Sequence, residues 1–246
     1  MIISKAKGQN SNIFVLKQKV KEAKGVLTLK FLAVKGAIFS FEPGQFILVS
    51  FLDNRASGKI RAYSISSCPQ DKFLTITVKK IGIFSSALHN LKIGEKIKVN
   101  FPQGDFYPQK SMIRQPADLV FLAGGIGIAP FHSIIGNFYL KKSSKKITLF
   151  YSNRTKRDIV FFKELNEIAR KRSSFKVIYL LTREKSKNKA IQECRRLNAK
   201  ILKKYLRNLK NKNYFICGPA EFVNDLWRSL KKVGIKEDFI KTEAFH

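Results

Sequence analysis

The chain has 246 residues, 44 % of them hydrophobic and 21 of them phenylalanine, enough apolar volume for one large core or two modest ones and well outside the disordered range. Lysine and arginine number 48 against 17 aspartate and glutamate, a formal net charge of +31. Such a surface attracts nucleic acid, anionic membrane or acidic protein, but no recognition helix, zinc-finger spacing or aromatic single-strand motif organises the cations, which argues against nucleic acid.

Cys68, Cys194 and Cys217 lie far apart with no C-x-x-C between them. That spacing argues against a disulfide framework, a zinc site and a four-cysteine iron–sulfur cluster, and reduced thiols in the cytoplasm are the expectation. Residues 1–10 carry lysines and no apolar h-region, so no signal peptide is expected there. No apolar run reaches the ~18 residues that read as a membrane span. His89, His132 and His246 show no metal spacing and are given no role, and no metal site is expected.

Taken in chain order, residues 13–20, 26–33, 45–51, 60–66, 73–80 and 96–101 are rich in Phe, Ile, Val and Leu, and Gly25, Gly36, Pro43-Gly44, Pro69 and Gly94 punctuate them. Short, regularly spaced strands of this kind predict an antiparallel barrel or sandwich, interrupted by one helical stretch at 85–91. After Pro108 the rhythm changes. Strands are predicted at 119–123, 147–151, 175–181 and 214–217, with helices at 131–140, 159–170, 197–209 and 221–233 between and after them. Strands alternating with helices imply βαβ units and a parallel sheet. The chain therefore divides near Ser111 into an all-β part, 1–110, and an α/β part, 111–246. Trp227, on the last helix, is assigned to core packing.

The segment Ala123-Gly124-Gly125-Ile126-Gly127-Ile128-Ala129-Pro130 follows a strand and opens a helix. Glycine lets the backbone approach phosphate oxygens, free N–H groups at a helix start favour an anion, and Pro130 suits a first helical turn. Tight strand–helix packing can demand the same residues. Pro130 stands where the ordinary dinucleotide fingerprint has its third glycine, and the second strand runs into Tyr151-Ser152-Asn153-Arg154 without a ribose-binding carboxylate, so the turn belongs to a different lineage.

Arg61-Ala62-Tyr63-Ser64, that glycine turn, Cys217-Gly218-Pro219 and Glu243-Ala244-Phe245 stand in the order found in the ferredoxin–NADP⁺ reductase family, which the chain resembles from about residue 41 to 245. The resemblance implies an N-terminal antiparallel Greek-key β-barrel for FAD, followed by a parallel α/β domain for NADPH or NADH. It implies that Tyr63 stacks on the isoalloxazine, that Arg61 pairs with the FAD pyrophosphate, and that Ser64 places its hydroxyl near flavin N5. Gly82, Phe84 and Ser85 match a phosphate-binding helix start, with Ile83 replacing the family's second glycine. Gly124, Gly125, Gly127 and Pro130 would hold the dinucleotide, and Cys217, Gly218 and Pro219 would flank its nicotinamide. Glu243 would orient the reacting rings, and Phe245 would cover the second flavin face. Ser64, Cys217 and Glu243 are thus the implied catalytic set. Thr182-Arg183, near Lys185, Lys187 and Lys189, matches a 2′-phosphate site and tilts the expectation toward NADPH.

With no cluster cysteines and no membrane span, the implied electrons leave for a separate acceptor, such as an acidic ferredoxin or flavodoxin, a partner oxidase or reductase component, or a free small molecule. Two competing readings are a basic nucleic-acid-binding protein on a flavin-free fold and a redox-regulatory subunit.

Overall fold

The computed structural model describes residues 12–34, 40–186, 188 and 190–245; the readings at residues 1–10, Gly36, Lys187, Lys189 and His246 lie outside the described residues. The first half forms β1 (Asn12–Ala23), β2 (Val26–Ala33), β3 (Phe46–Phe51), β4 (Arg61–Ser64), β5 (Leu74–Lys79), α1 (Ile83–Asn90) and β6 (Lys96–Val99). The strands pair antiparallel in the order β4-β3-β6-β1-β2-β5. A bridge between Ile65 and Ile76 joins the two outer strands and closes the sheet into a barrel. Alternation fills it: Phe14 and Leu16, Leu29 and Phe31, Ile47 and Val49, Ile76 and Val78, and Ile97 and Val99 point inward. Helix α1 plugs one end with Phe84 and Leu88.

The second half forms α2 (Lys110–Arg114), β7 (Asp118–Gly124), α3 (Ile128–Leu140), β8 (Ile147–Asn153), α4 (Phe162–Lys171), β9 (Phe175–Leu181), β10 (Ile191–Glu193), α5 (Ala199–Tyr205), β11 (Lys212–Pro219), α6 (Ala220–Lys232) and β12 (Ile240–Phe245). The strands are all parallel, in the order β10-β9-β8-β7-β11-β12. Both faces are covered, which is why β7 reads as an unbroken apolar run: Leu119, Phe121 and Ala123 face α3 and α4, while Val120 and Leu122 face α5 and α6. Trp227 is partly buried against this second core layer. No helix among the described residues is long and apolar enough to cross a membrane.

The antiparallel and parallel sheets agree with the patterning, and β2 and β9 have the expected bounds. Three elements are additional: α2, the three-residue β10 and the terminal β12. Helix α4 starts at Phe162 rather than 159 because Phe161 adopts a left-handed backbone, φ 59°, that interrupts the helical path. Helix α5 is shorter than its periodicity, running only from Ala199 to Tyr205.

One apolar layer crosses between the sheets. Ala23, Val26 and Phe106 pack with the α3 side of the parallel sheet, and the Phe106 ring lies 5.5 Å from both Phe131 and Phe215. Gly44 holds the neighbouring loop close: its φ is +106°, and a Cβ there would meet the Phe106 carbonyl oxygen at 2.2 Å. Replacing Phe106 with alanine should empty this wedge and lower stability by about 3 to 5 kcal/mol, read from urea unfolding. A loss below about 1 kcal/mol would mean that the sheets are held together elsewhere.

Candidate active site

The parallel register of β11 and β12 sets Glu243 opposite Cys217, Ala244 opposite Gly218 and Phe245 opposite Pro219. From the barrel, β4 delivers Ser64 to the same place. The Ser64 hydroxyl donates to Glu243 Oε1 over 2.9 Å, and Cys217 Sγ lies 3.9 Å from that oxygen. Side chains 179 positions apart in sequence thus meet between the two sheets. Burial raises the Glu243 carboxyl above its ordinary 4.5, although Ser64 and Cys217 pull it the other way. Burial, then the Glu243 charge, pushes the Cys217 thiol well above its usual value. The sulfur is a neutral, compact contact there, not a nucleophile.

Tyr63 is half-buried and stacks over Phe84, with ring centroids 6.1 Å apart and planes 27° from parallel. Burial raises its phenol to about 12, so it stays neutral. Arg61 is exposed, pairs with no carboxylate among the described residues, and donates only to the Ile60 carbonyl. At the head of α1, Ser85 Oγ accepts from the N–H groups of Ile81 and Gly82 and donates to the Gly82 carbonyl. The N–H of Ser86 already serves that carbonyl within the helix. The first-turn amides of Ile83, Phe84 and Ser85 have no intrahelical carbonyl partner at this end. Gly82 has an extended backbone, φ −149°, with open space where a Cβ would stand. Ile83, in place of the second glycine, is exposed and starts the helix, so this turn does not demand glycine at that position.

The glycine turn is pressed onto the Cys-Gly-Pro strand end. A Cβ on Gly127 would come within 2.2 Å of the Cys217 carbonyl oxygen, whereas Gly125, at φ +55°, has open space around it. Pro130 is buried in the first turn of α3. Phe222, on the first turn of α6, lies over both Gly124 and Gly218, where a Cβ would meet its ring at 2.9 and 2.8 Å. Sequence reading passed over Phe222; its only signal is an aromatic three residues after Pro219.

Thr182 and Arg183 are elsewhere. They follow β9, where the Thr182 and Arg183 amides donate to the carbonyls of Asn153 and Arg154. That corner stands three strand spacings from β11, about 14 Å. An extended dinucleotide lying along the carboxyl edge of the sheet can reach both ends.

An FAD-type barrel joined to a parallel nucleotide-binding sheet, with a hydroxyl, a thiol and a carboxyl at the junction, defines a flavin- and dinucleotide-dependent oxidoreductase. Residues 13–107 match the oxidoreductase FAD-binding domain and residues 121–227 the oxidoreductase NAD-binding domain. The glycine betaine monooxygenase reductase subunit of Chromohalobacter salexigens is 30 % identical over 232 residues, covering 92 % of this chain and 62 % of that protein. The chain thus spans under two thirds of the length of that relative. Among solved structures, the Amycolatopsis cytochrome P450 reductase superposes with a TM-score of 0.84 at 20 % identity, over 96 % of this chain and 70 % of that one. The Neisseria gonorrhoeae ferredoxin NADP⁺ reductase with bound FAD and NADP gives 0.78 at 22 %, over 95 % and 97 %. The chain belongs to the ferredoxin–NADP⁺ reductase-like family of flavoprotein reductases, whose two domains bind FAD and a nicotinamide dinucleotide.

The two buried thiols and the exposed Cys194 should separate in a titration of the folded protein with a disulfide reagent. Cys194 should react at once, whereas Cys68, raised to about 12 by burial, and Cys217 should react only in denaturant. Rapid labelling of Cys217 in the native state would contradict the enclosed geometry of the Ser64–Glu243 contact.

Proposed function

We propose that the chain takes hydride from a nicotinamide dinucleotide onto bound FAD and passes the electrons to a separate acceptor protein, with residues 1–110 serving the flavin and 111–246 the dinucleotide. The observation that carries this reading is the meeting of Ser64 and Glu243 beside Cys217 at the junction of the two sheets. The residues around it fit both cofactors. Tyr63 offers a half-buried, neutral ring for stacking, Arg61 a guanidinium without a carboxylate partner among the described residues for a pyrophosphate, and α1 its first-turn amides.

FAD, when bound, supplies the hydride-accepting atom and the capacity to release electrons singly. The chain supplies alignment. Ser64, held by Glu243, presents a fixed hydroxyl beside the flavin strand, and Glu243, whose carboxyl burial raises above its ordinary 4.5, would orient the reacting rings. Cys217, Gly218 and Pro219 form the floor on which the nicotinamide would rest, and Phe245, partly buried at the end of β12, closes the far side. Thr182 and Arg183 would take the adenosine end, and their pattern favours the 2′-phosphate of NADPH.

A separate acceptor accords with the relative named as a reductase subunit and with the charge of +31, which favours an acidic partner such as a ferredoxin or flavodoxin. The purified protein should be yellow and bleach anaerobically with NADPH; a colourless protein that takes up no FAD would sink the proposal. Ser64→Ala should keep its flavin and slow bleaching by about 10- to 100-fold, measured by stopped flow. The ratio of kcat/KM for NADPH and NADH tests the dinucleotide preference, and a marked advantage for NADH would refute it.

A further inference from the structure

Behind this junction lies a second convergence. Helix α3, which starts at the glycine turn, lays one face against residues 66–70, the segment that continues β4 beyond Ser64. His132 Nδ1 is 2.6 Å from the Ser66 carbonyl oxygen, and Nε2 is 3.0 Å from Glu164 Oε2 on α4. The imidazole stacks on Phe161, with centroids 3.8 Å apart and planes 25° from parallel. Phe161 is the residue whose φ of 59° delays α4, so an uncommon backbone brings its ring under the imidazole. Along the same face Ser133 Oγ donates to the Ser67 carbonyl, Gln70 Nε2 donates to Asn137 Oδ1 over 3.2 Å, and a Cβ on Gly136 would meet Cys68 Sγ at 2.5 Å.

Both partners of the imidazole are acceptors. A peptide carbonyl has no proton to give, so Nδ1 must carry one to serve Ser66. A neutral ring protonated there would turn the bare lone pair of Nε2 toward the Glu164 carboxylate at 3.0 Å, a repulsive arrangement. The contact is favourable when both nitrogens are protonated. Nε2 has no well-aligned hydrogen bond, so charge rather than bond geometry holds it to Glu164.

The charged groups facing this ring are Glu164 from α4 and Glu22 from β1, while Lys30 from β2 acts on Glu164. Cys68 and Asp71 come from the barrel segment, with Cys68 near Glu164 and kept neutral by burial. Burial by itself disfavours the imidazolium, and Glu164, the Ser66 carbonyl and Glu22 together outweigh it, leaving His132 above its ordinary 6.5. Its contribution to the seam is complete below pH 6.5 and is lost as pH rises through the higher folded value.

We propose that His132, as an imidazolium, is the positioning residue that locks the dinucleotide-binding helix against the end of the flavin strand, so that losing its proton loosens the seam and slows hydride transfer. The rate effect rests on the reductase reading of the Ser64 site; the seam itself does not.

The experiment follows the imidazole resonances of the holoprotein by NMR from roughly pH 5 to 9, beside stopped-flow bleaching by NADPH over the same range. His132 should titrate above 6.5, and bleaching should slow by about 10-fold across that titration. Glu164→Gln should move both midpoints to lower pH in step. His132→Phe, which keeps a ring on Phe161, should be slow at every pH, with KM within about twofold of wild type. A His132 midpoint below 6.5, or a wild-type rate and pH profile in His132→Phe, overturns the proposal; if that variant does not fold, Glu164→Gln decides alone. Should NADPH bleach nothing at any pH, the reductase reading fails. Thermal stability then judges the seam: the wild-type Tm must fall through the His132 midpoint, with the fall displaced in Glu164→Gln, and a Tm insensitive to either overturns it.

Discussion

The structure depends on a strand being added at the very end of the chain. β12 contributes little to the core beyond Ile240, yet its pairing with β11 is the only route by which Glu243 comes opposite Cys217. A slip of one residue would turn Glu243 to the other face of the sheet, because side-chain direction alternates along a strand. The Ser64 hydroxyl would then lose its acceptor. The register therefore fixes the site more tightly than any single contact within it, and six consecutive residue pairs hold that register.

A reaction whose chemistry belongs to two cofactors needs few titratable side chains, and the junction reflects this. Burial raises its Glu243 carboxyl above the ordinary 4.5, keeps its thiol neutral, and lifts its phenol to about 12. Among the described residues most lysines and arginines are exposed, while Ser64 and Glu243 are part-buried and Cys217 is buried. The long-range field of these cations is one that salt screens beyond about 10 Å. Long-range attraction and the contacts at the junction can vary independently for that reason.

Most of the fold was legible because its strands obey simple periods. Alternation marked the barrel, and continuous apolar runs marked the doubly covered parallel strands. What escaped were elements held by tertiary contacts rather than by pattern. β10 is three residues long, and its buried Glu193 is met by Arg195 two residues on and by Lys204 and the Tyr205 hydroxyl, eleven and twelve residues on, beyond a local window. The motif residues were legible one by one from the family resemblance, whereas the Ser64–Glu243 bond is a property of the fold. His132 drew no role because a lone histidine in a helix has no spacing to read; its partners come from α4 and from the barrel.

The seam between the domains also explains the buried polar residues Ser66, Ser67, Ser133 and Asn137. Interfaces between domains of one chain are more polar than cores, and a backbone carbonyl enclosed there needs a donor or it costs about 1 to 3 kcal/mol. Ser66 and Ser67 turn their carbonyls toward α3, and His132 and Ser133 answer them in turn. An apolar residue at position 132 could fill the same volume but would leave the Ser66 carbonyl unserved. Hydrogen-bond satisfaction thus ties the first half of α3 to the segment that follows β4, two residues from the Ser64 hydroxyl.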